Sequence, residues 1–338
     1  MRRNSGRNDY ICRKDCAMKD MGIKSIGIKS IGIKQTWSIF GIILMLMFLL
    51  CGCGPEQSNQ QNTGAFTVTD ATGTAVNISE RPQRIVPIGV STEDIVLSMV
   101  TPDRVAAIGT LPNNVPDASS QVKGRVKSSS ESLLSVKPDL VIMPDWVSQE
   151  NINEIRGMNI PLYVYKTPGT VKEAKEVMGE IAKVLKASDN SLIAAMDKDL
   201  AEIDGIVKSH ADEAQPVAVL YTRLGVTGGK GSTFDDMCGY MHVKNGAAAI
   251  GLGLTDNGTR EDLIRINPDV IIIPSDAYNQ DQYSEVNIDQ LYSDPALQGV
   301  KAIQNHRVYT VDARMLMSYS QFMTKAMLDM TRYIYNVQ

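Results

Sequence analysis

Short, wholly apolar runs recur along the chain between amphipathic segments, and two of these runs belong to an internal repeat. Residues 131–144 (ESLLSVKPDLVIMP) return 130 positions later as residues 261–274 (EDLIRINPDVIIIP), with six of 14 positions identical. Each copy predicts a short helix, a turn and a strand, because Pro cannot continue helical hydrogen bonding. A strand without polar positions has no solvent-facing side, so it belongs inside a covered parallel sheet. The repeat therefore predicts two α/β lobes of similar build.

The pattern outside the repeat extends this alternation of strands and helices over the chain. A helix is predicted from a cap at residues 91–94, and residues 109–130 are predicted to form a long loop of the kind that carries function. Apolar residues at helical spacing mark residues 188–209 as a helix of roughly 30 Å, enough to connect two lobes. The apolar strands are predicted at residues 84–88, 104–108, 140–143, 161–165, 217–221, 270–273 and 307–311, after a hairpin at 66–78.

This pattern predicts an α/β fold of two Rossmann-like three-layer lobes with mainly parallel sheets, joined by one long inter-lobe helix. The predicted N-terminal lobe spans residues 66–187, the linker helix 188–210, and the C-terminal lobe 211–338.

The N-terminal segment has the pattern of a secretory signal. Residues 37–50 are almost unbroken apolar sequence after Lys24, Lys29 and Lys34, a run that is short for a spanning helix. The following Leu-Cys-Gly-Cys resembles the lipobox of bacterial lipoproteins, which implies cleavage of residues 1–52 and acylation of Cys53. Cys51 is a weaker candidate, and an uncleaved membrane anchor is the alternative. Residues 53–65 are polar and predict a flexible tether, and either alternative places the body outside the cytoplasm.

Charge and composition exclude several kinds of binding partner. The first 52 residues hold nine Lys or Arg and three Asp or Glu, so 25 of the 34 basic and 35 of the 38 acidic residues belong to the rest, a net charge of −10. An acidic body argues against nucleic acid as a partner, and anionic lipid would repel it without an anchor. Three scattered histidines argue against a metal site, and we expect a monomer without a resident cofactor.

From about residue 66 to the end, the chain resembles the class III solute-binding proteins of ABC importers, the family for siderophores, haem and cobalamin. The resemblance is carried by residues 81–86 (RPQRIV), both copies of the repeat, residues 300–309 (VKAIQNHRVY) and the single long helix. It implies a binding protein, not an enzyme, that serves an ABC permease dimer with its ATPase. It also implies that Glu131 and Glu261 dock with permease arginines; the alternative is that both only stabilise helix N-termini.

A ligand site is predicted between the lobes, because ligands of open α/β sheets bind beyond the carboxyl ends of the strands. The predicted strand-end loops are residues 89–92, 110–114, 145–146, 166–168, 222–224, 275–278 and 312–317. Aromatic rings suit a bulky chelate, and arginines suit an anionic one. The candidate ligand-binding residues are Trp146, Tyr221, Arg223, Tyr278 and Arg314. Packing against a helix is the alternative for Trp146, and a surface or structural role is the alternative for each arginine.

Other candidate side chains have more ordinary interpretations. Met323, Met327 and Met330 have helical spacing typical of a core, whereas Met315 and Met317 precede that helix and are possible haem ligands. His242 is a surface residue or a ligand contact, and Cys238 is predicted to be a buried thiol.

The favoured hypothesis is a lipoprotein on the outer face of the bacterial cell membrane that captures an iron complex, either a siderophore or haem. A corrinoid-binding protein of the same family is the alternative. A chelatase-like two-lobed enzyme is a weaker one, since no Ser-His-Asp set or Cys-His pair has a recognisable spacing. Residues 228–232 (GGKGS) resemble a phosphate-binding loop only superficially, because they lack the Lys-Ser/Thr order.

Overall fold

The computed structural model describes residues 65–127, 129–275 and 286–337. Contacts divide the chain into two units, Met1–Gln60 and Gln61–Gln338, and all described residues lie in the second. The predicted signal peptide, Cys53, nearly all of the predicted tether, and Tyr278 lie outside the described residues.

The second unit alternates strands and helices as the apolar pattern predicts. The strands are β1 Phe66–Thr69, β2 Ala75–Ile78, β3 Ile85–Pro87, β4 Ala107–Ile108, β5 Gly124–Arg125, β6 Leu140–Pro144, β7 Leu162–Tyr165, β8 Val217–Thr222, β9 Gly225–Thr227, β10 Lys244–Asn245, β11 Val270–Pro274 and β12 Val308–Val311. The helices are α1 Val90–Met99, α2 Pro116–Gln121, α3 Ser130–Val136, α4 Gln149–Gly157, α5 Val171–Leu185, α6 Asn190–Ser209, α7 Thr233–Tyr240, α8 Gly246–Ala249, α9 Arg260–Ile266, α10 Ile288–Ser293, α11 Lys301–Gln304, α12 Ala313–Leu316 and α13 Phe322–Tyr335. Short 3-10 turns lie at Pro102–Arg104 and Pro295–Leu297.

Two mainly parallel sheets form the centres of two lobes. In the N-terminal lobe the order is β3-β6-β7, all parallel. In the C-terminal lobe the order is β10-β8-β11-β12, also parallel, with β9 folding back antiparallel on β8. All residues of β6 are buried, which confirms that a wholly apolar strand is covered on both faces. The α/β fold class with mainly parallel sheets is thereby confirmed.

The long helix α6 packs against both lobes. Leu192, Met196 and Ile203 are buried in a cluster that also contains core residues of the two lobes. Lys175 of α5 pairs with Asp197 on its N-terminal half. On the other side, Thr324 of α13 donates a hydrogen bond to Asp199 (2.9 Å), and Arg332 pairs with Glu202. The helix is therefore held at several points along its length rather than standing free between the lobes.

The two copies of the repeat fold alike, residue for residue. Helices α3 and α9 and strands β6 and β11 begin and end 130 positions apart. Each helix ends at a left-handed residue, Lys137 (φ 46°) and Asn267 (φ 51°). The Pro-Asp turn has the same bonds in both lobes: Asp139 accepts the backbone N–H of Arg84 (2.9 Å), and Asp269 accepts that of Val217 (2.9 Å). Each aspartate thus fixes the start of the neighbouring strand.

Three local expectations were wrong. Residues 109–130 are not one long loop, since they contain α2 and β5. The strand predicted from residue 104 begins at Ala107, because Pro102–Arg104 form a 3-10 turn. Residues 91–94 do not cap α1: the helix begins one residue earlier, after Gly89, which has φ 96° and no side chain to cap with.

Candidate functional site

A cleft of about 710 Å³ lies between the lobes, at the carboxyl ends of the strands. The N-terminal lobe contributes loops that follow β3, β6 and β7, and the C-terminal lobe contributes loops that follow β8, β11 and β12. This is where parallel α/β sheets place their ligand sites. The lining residues are Gly89, Val90, Ser91, Thr92, Leu111, Pro144, Trp146, Tyr165, Thr167, Thr222, Arg223, Leu224, Thr227, Pro274, Val286, Ala313, Met317 and Tyr319.

Trp146 stands exposed in the cleft. Trp146 lies two positions after Pro144, the last residue of β6, and 63 % of its surface is accessible to solvent. The turn is anchored by Asp145, whose carboxylate accepts hydrogen bonds from the backbone N–H (2.9 Å) and hydroxyl (2.6 Å) of Thr167. A Cβ at Gly89 would meet the indole at 3.7 Å, so the ring lies beside the positive-φ turn before α1. Such exposure excludes the alternative that the ring packs away against a helix.

Large apolar side chains are concentrated in this cleft. Leu111 and Trp146 from one lobe, and Leu224 and Met317 from the other, are each more than a third exposed. Exposing apolar surface opposes the hydrophobic effect, so a cluster of it inside a concavity marks a binding surface.

The predicted cations differ in their placement. Arg223 is exposed and lines the cleft, and no ion pair to it is found among the described residues. Arg314 is instead half-buried outside the lining and forms a salt bridge with Asp312 (2.6 Å), which keeps the pKa of that carboxyl below its usual value. Of the two predicted arginines, the structure therefore places Arg223 and not Arg314 in the cleft lining, because a carboxylate two residues away already holds the guanidinium of Arg314.

Tyr221 does not reach the cleft either. It lies within β8, half-buried, and packs on the cluster formed by Val219, Ile271 and their neighbours on one face of the sheet. Burial raises the pKa of its phenol. Strand alternation explains this placement, because Thr222 next to it lines the cleft while Tyr221 faces the opposite side.

Two other tyrosines line the cleft although the sequence pattern did not single them out. Tyr165, the last residue of β7, is buried, and its hydroxyl forms a 2.8 Å hydrogen bond with Thr92. Burial keeps its pKa well above the usual range, so the phenol stays neutral. Tyr319 precedes α13, and its backbone N–H donates to the Ser91 hydroxyl (3.0 Å). The position of Tyr165 at the end of a strand could have predicted its place in the cleft. No comparable sequence pattern marks Tyr319.

The two methionines predicted as possible haem ligands also differ in their placement. Met317 is 43 % exposed and lines the cleft, whereas Met315 packs partly buried against the core. Met323, Met327 and Met330 are fully buried, which confirms their assignment to the core. His242 is exposed and away from the cleft lining. Cys238 is a buried free thiol, as predicted.

Three backbone N–H groups of the glycine-rich segment already have hydrogen-bond partners. Lys230 N–H donates to the Leu252 carbonyl (2.8 Å), Gly231 N–H to the Asp235 carboxylate (2.9 Å), and Ser232 N–H to the Gly229 carbonyl (3.1 Å). Backbone donors that bind a phosphate must be free to point at it, and these three are already bonded within the protein.

Glu131 and Glu261 occupy the second position of α3 and of α9, and both are exposed. Hydrogen bonds with its own backbone N–H and with Thr259 lower the pKa of Glu261, so this carboxylate does sit over a helix N-terminus. One turn on, the repeat also places an exposed apolar residue in each copy, Leu134 (48 %) and Ile264 (40 %).

No group of three or more His, Cys, Asp or Glu side chains in the described ranges is arranged to hold a metal ion. Among the helices described, none has both the length and the apolar character to cross a membrane.

Two α/β lobes with an apolar cleft between them and one long helix beside them define a two-lobed solute-binding protein. The family model for periplasmic binding proteins matches residues 85–315, and the chain belongs to that family. Membership implies an extracytoplasmic location and a solute-binding role.

Individual relatives are distant. A cobalamin-binding protein of Halobacterium salinarum is 24 % identical over 182 residues, 52 % of this chain and 49 % of the relative, so the chain spans about half the length of the curated relatives it matches. A periplasmic haem-binding protein from Roseiflexus sp. RS-1 in apo form has a TM-score of 0.63 at 20 % identity, covering 75 % of this chain and 98 % of that one. A periplasmic binding protein from Veillonella parvula reaches 0.67 at 19 %, covering 81 % and 98 %. These structural likenesses establish the fold.

Proposed function

We propose that this protein is a lipid-anchored receptor that captures an iron complex, a siderophore or haem, and delivers it to an ABC transporter permease. The observation that carries the proposal is the cleft, with apolar walls on both lobes and Arg223 at its surface. Its volume of about 710 Å³ is in the range of pockets that enclose a large organic ligand. It holds no resident cofactor in this proposal, and it binds rather than transforms its ligand.

The side chains of the cleft suit a broad, mostly apolar ligand with few charges. Trp146 offers an indole face for stacking, and Leu111, Leu224 and Met317 surround it with flexible apolar contacts. The lining formed by the described residues contains no Asp or Glu side chain, so an anionic ligand meets no repulsion from these residues. Arg223 is positioned to pair with a carboxylate of the ligand through charge-assisted hydrogen bonds.

A corrinoid is the second candidate, and the engagement of Arg314 favours it. With Arg314 held by Asp312, the described lining contains Arg223 but not Arg314, which weakens the case for a highly charged chelate. The resemblance to a cobalamin-binding protein of Halobacterium salinarum supports the same candidate.

Ligand titrations of the full chain in detergent decide between the two. Haemin, a ferric hydroxamate siderophore and cyanocobalamin are each added, and binding is followed by visible absorbance and calorimetry. We expect saturable one-to-one binding of one iron complex and at least a hundredfold weaker binding of the others. Preference for cyanocobalamin would replace the iron complex by the corrinoid, and failure of all three would overturn the proposed ligand class.

Docking to the permease is proposed to use the repeat. Because α3 and α9 are built alike, each lobe offers a glutamate and, one turn later, an exposed apolar side chain. Two similar surfaces on one chain suit a two-fold permease dimer. The carboxylates would steer association and set its register more than supply affinity. Acylated Cys53 and the tether would keep the monomer at the outer face of the membrane, near that partner.

A further inference from the structure

Helix α1 forms a polar seam with the C-terminal lobe directly behind the cleft floor. The hydroxyl of Ser91 accepts a hydrogen bond from the backbone N–H of Tyr319 (3.0 Å). Two turns further along the helix, the side-chain amide of Gln321 donates to the hydroxyl of Ser98 (2.9 Å). The joined residues are more than 220 positions apart in the chain. The seam is thus a contact between the lobes, separate from α6.

Asp94 lies at the centre of this seam and is completely buried. Its carboxylate accepts hydrogen bonds from the backbone N–H (2.8 Å) and the side-chain amide (2.7 Å) of Asn114 in its own lobe. It also accepts one from the hydroxyl of Ser320 in the other lobe (3.1 Å). The amide of Asn114 in turn donates to the carbonyl of Arg314 (3.0 Å). Asp94 is therefore connected to the segment 313–320 twice, directly through Ser320 and indirectly through Asn114.

The neighbouring Glu93 is almost equally buried, but its hydrogen bonds among the described residues all lie within the N-terminal lobe. Its carboxylate accepts the N–H of Gly109 (2.8 Å) and the amide of Asn113 (3.0 Å). Of the two adjacent carboxylates, Asp94 therefore accepts a hydrogen bond from the second lobe and Glu93 does not.

The segment that Asp94 holds supplies part of the cleft. Ala313, Met317 and Tyr319 line it from the C-terminal lobe, and Ser91 lines it from the other side of the seam. We propose that Asp94 is a positioning residue, which fixes the segment 313–320 against α1 and so sets the arrangement of the cleft floor that the ligand meets. The exchange measurement below is independent of the ligand, and the affinity measurement rests on the proposed function.

An ionised carboxylate suits this role because charge-assisted hydrogen bonds are shorter and stronger than neutral ones. Burial raises the pKa of Asp94 to about 6, while the hydrogen bonds from Asn114 and Ser320 and the charge of Arg314 limit the rise, so the group is mostly ionised at pH 7.5. A binding site whose parts are held in place before the ligand arrives loses less free energy on binding.

Three variants of the full chain test the proposal by hydrogen exchange at pH 7.5. Asp94→Asn removes an oxygen that accepts hydrogen bonds from two donors, the side-chain amide of Asn114 and the hydroxyl of Ser320. Ser320→Ala removes only the hydrogen bond across the seam. Glu93→Gln is the matched control, a buried carboxylate beside Asp94 without a partner in the other lobe. We expect backbone amides of residues 315–321 to exchange several-fold faster in the first two variants and to match the parent protein in the control.

The same variants are then titrated with whichever of haemin, ferric siderophore or cyanocobalamin the parent protein binds. We expect roughly tenfold faster ligand dissociation for Asp94→Asn and Ser320→Ala, the loss that corresponds to about 1.4 kcal/mol, and no change for Glu93→Gln. Unchanged exchange at residues 315–321 in both seam variants would overturn the proposal, as would faster exchange with unchanged dissociation. If the parent protein binds none of the probes, the proposed ligand class fails, while the exchange result still decides whether Asp94 fixes the seam.

Discussion

At the scale of single residues, Arg223 distinguishes the candidate ligands, because it is the arginine of the described cleft lining. If the ligand carries a carboxylate that pairs with it, Arg223→Gln removes a charge-assisted bond worth about 2 kcal/mol, a loss of roughly 30-fold in affinity. A nearly neutral corrinoid would lose little. The measurement is a calorimetric titration of parent and variant with haemin and with cyanocobalamin.

The control for this substitution is Arg260→Gln, which removes another arginine of the C-terminal lobe. Arg260 pairs with Asp294 (2.9 Å) and is absent from the cleft lining. Equal loss of affinity in both variants would mean that the general field of the lobe, and not a specific contact of Arg223, attracts the ligand.

Glu93 makes the stability of the fold depend on pH. Burial raises its pKa from 4.5 to about 7, with the charge of Asp94 adding to the shift. An acid whose pKa is raised by folding stabilises the protein while protonated, and this contribution is lost as pH rises from the unfolded value towards the folded one. We therefore expect the Tm to fall between pH 4.5 and pH 7.5, in line with a loss of a few kcal/mol.

Glu93→Gln should flatten this dependence, since a neutral amide does not titrate. Its Tm will differ from that of the parent by a constant, because one bond to Asn113 is lost, but the slope between pH 4.5 and pH 7.5 should shrink. A variant with the full slope of the parent would show that other groups cause it. Asp94, whose pKa burial raises to about 6, lowers stability in the same direction between about pH 4 and pH 6, so part of the slope should remain in this variant. Asp312 and the helix-start carboxylates have lowered pKa values, so they act at more acidic pH.

At the scale of elements, the repeat offers a test of local strain with an internal control. Lys137 and Asn267 end equivalent helices in the left-handed conformation, which costs most residues 1–2 kcal/mol and Asn less. Lys137→Gly should therefore stabilise the protein by about 0.5–1 kcal/mol, and Asn267→Gly by less. Chemical denaturation of both variants measures the difference; a larger gain at Asn267 would contradict this account of the two caps.

Elements with local causes were the ones that the sequence could predict. The Pro-Asp turns and the apolar strands of the repeat lie where the pattern places them, because neighbours within a few positions determine them. The helix predicted at residues 188–209 is Asn190–Ser209 for the same reason. The exposed position of Trp146 beside the cleft could also be predicted, since the residue lies two positions after a strand that the apolar pattern defines.

The missed features depend on distant contacts. Glu93 and Asp94 look like polar residues of a helix start, yet they are buried by Asn113, Asn114 and, for Asp94, by Ser320. These partners lie between 20 and 226 positions away, so no local pattern identifies them. The pairing of Arg314 with Asp312 was the opposite case, because the aspartate that occupies it stands two residues before it.

At the scale of the whole molecule, the two lobes are joined by more than the long helix. Asp199 and Glu202 of α6 bind α13, and the seam through Asp94 adds a second junction behind the cleft. Two junctions at different places oppose a wide hinge motion. The molecule therefore presents its two repeat surfaces, with Glu131 and Glu261, in a nearly fixed arrangement.

That rigidity is what a pair of docking residues needs, and it makes the double variant Glu131→Ala plus Glu261→Ala informative. If the two glutamates dock with the permease as proposed, we expect it to abolish uptake of the labelled ligand by cells that carry the importer, because both contacts would be lost together. Affinity of the purified protein for the ligand should stay unchanged, since neither residue lines the cleft. The control is Glu150→Ala plus Asp289→Ala, which removes exposed first-turn acids of α4 and α10 outside the repeat. Uptake at the parent rate in the repeat variant, or equal loss in the control, would show that helix N-termini rather than docking explain the two glutamates.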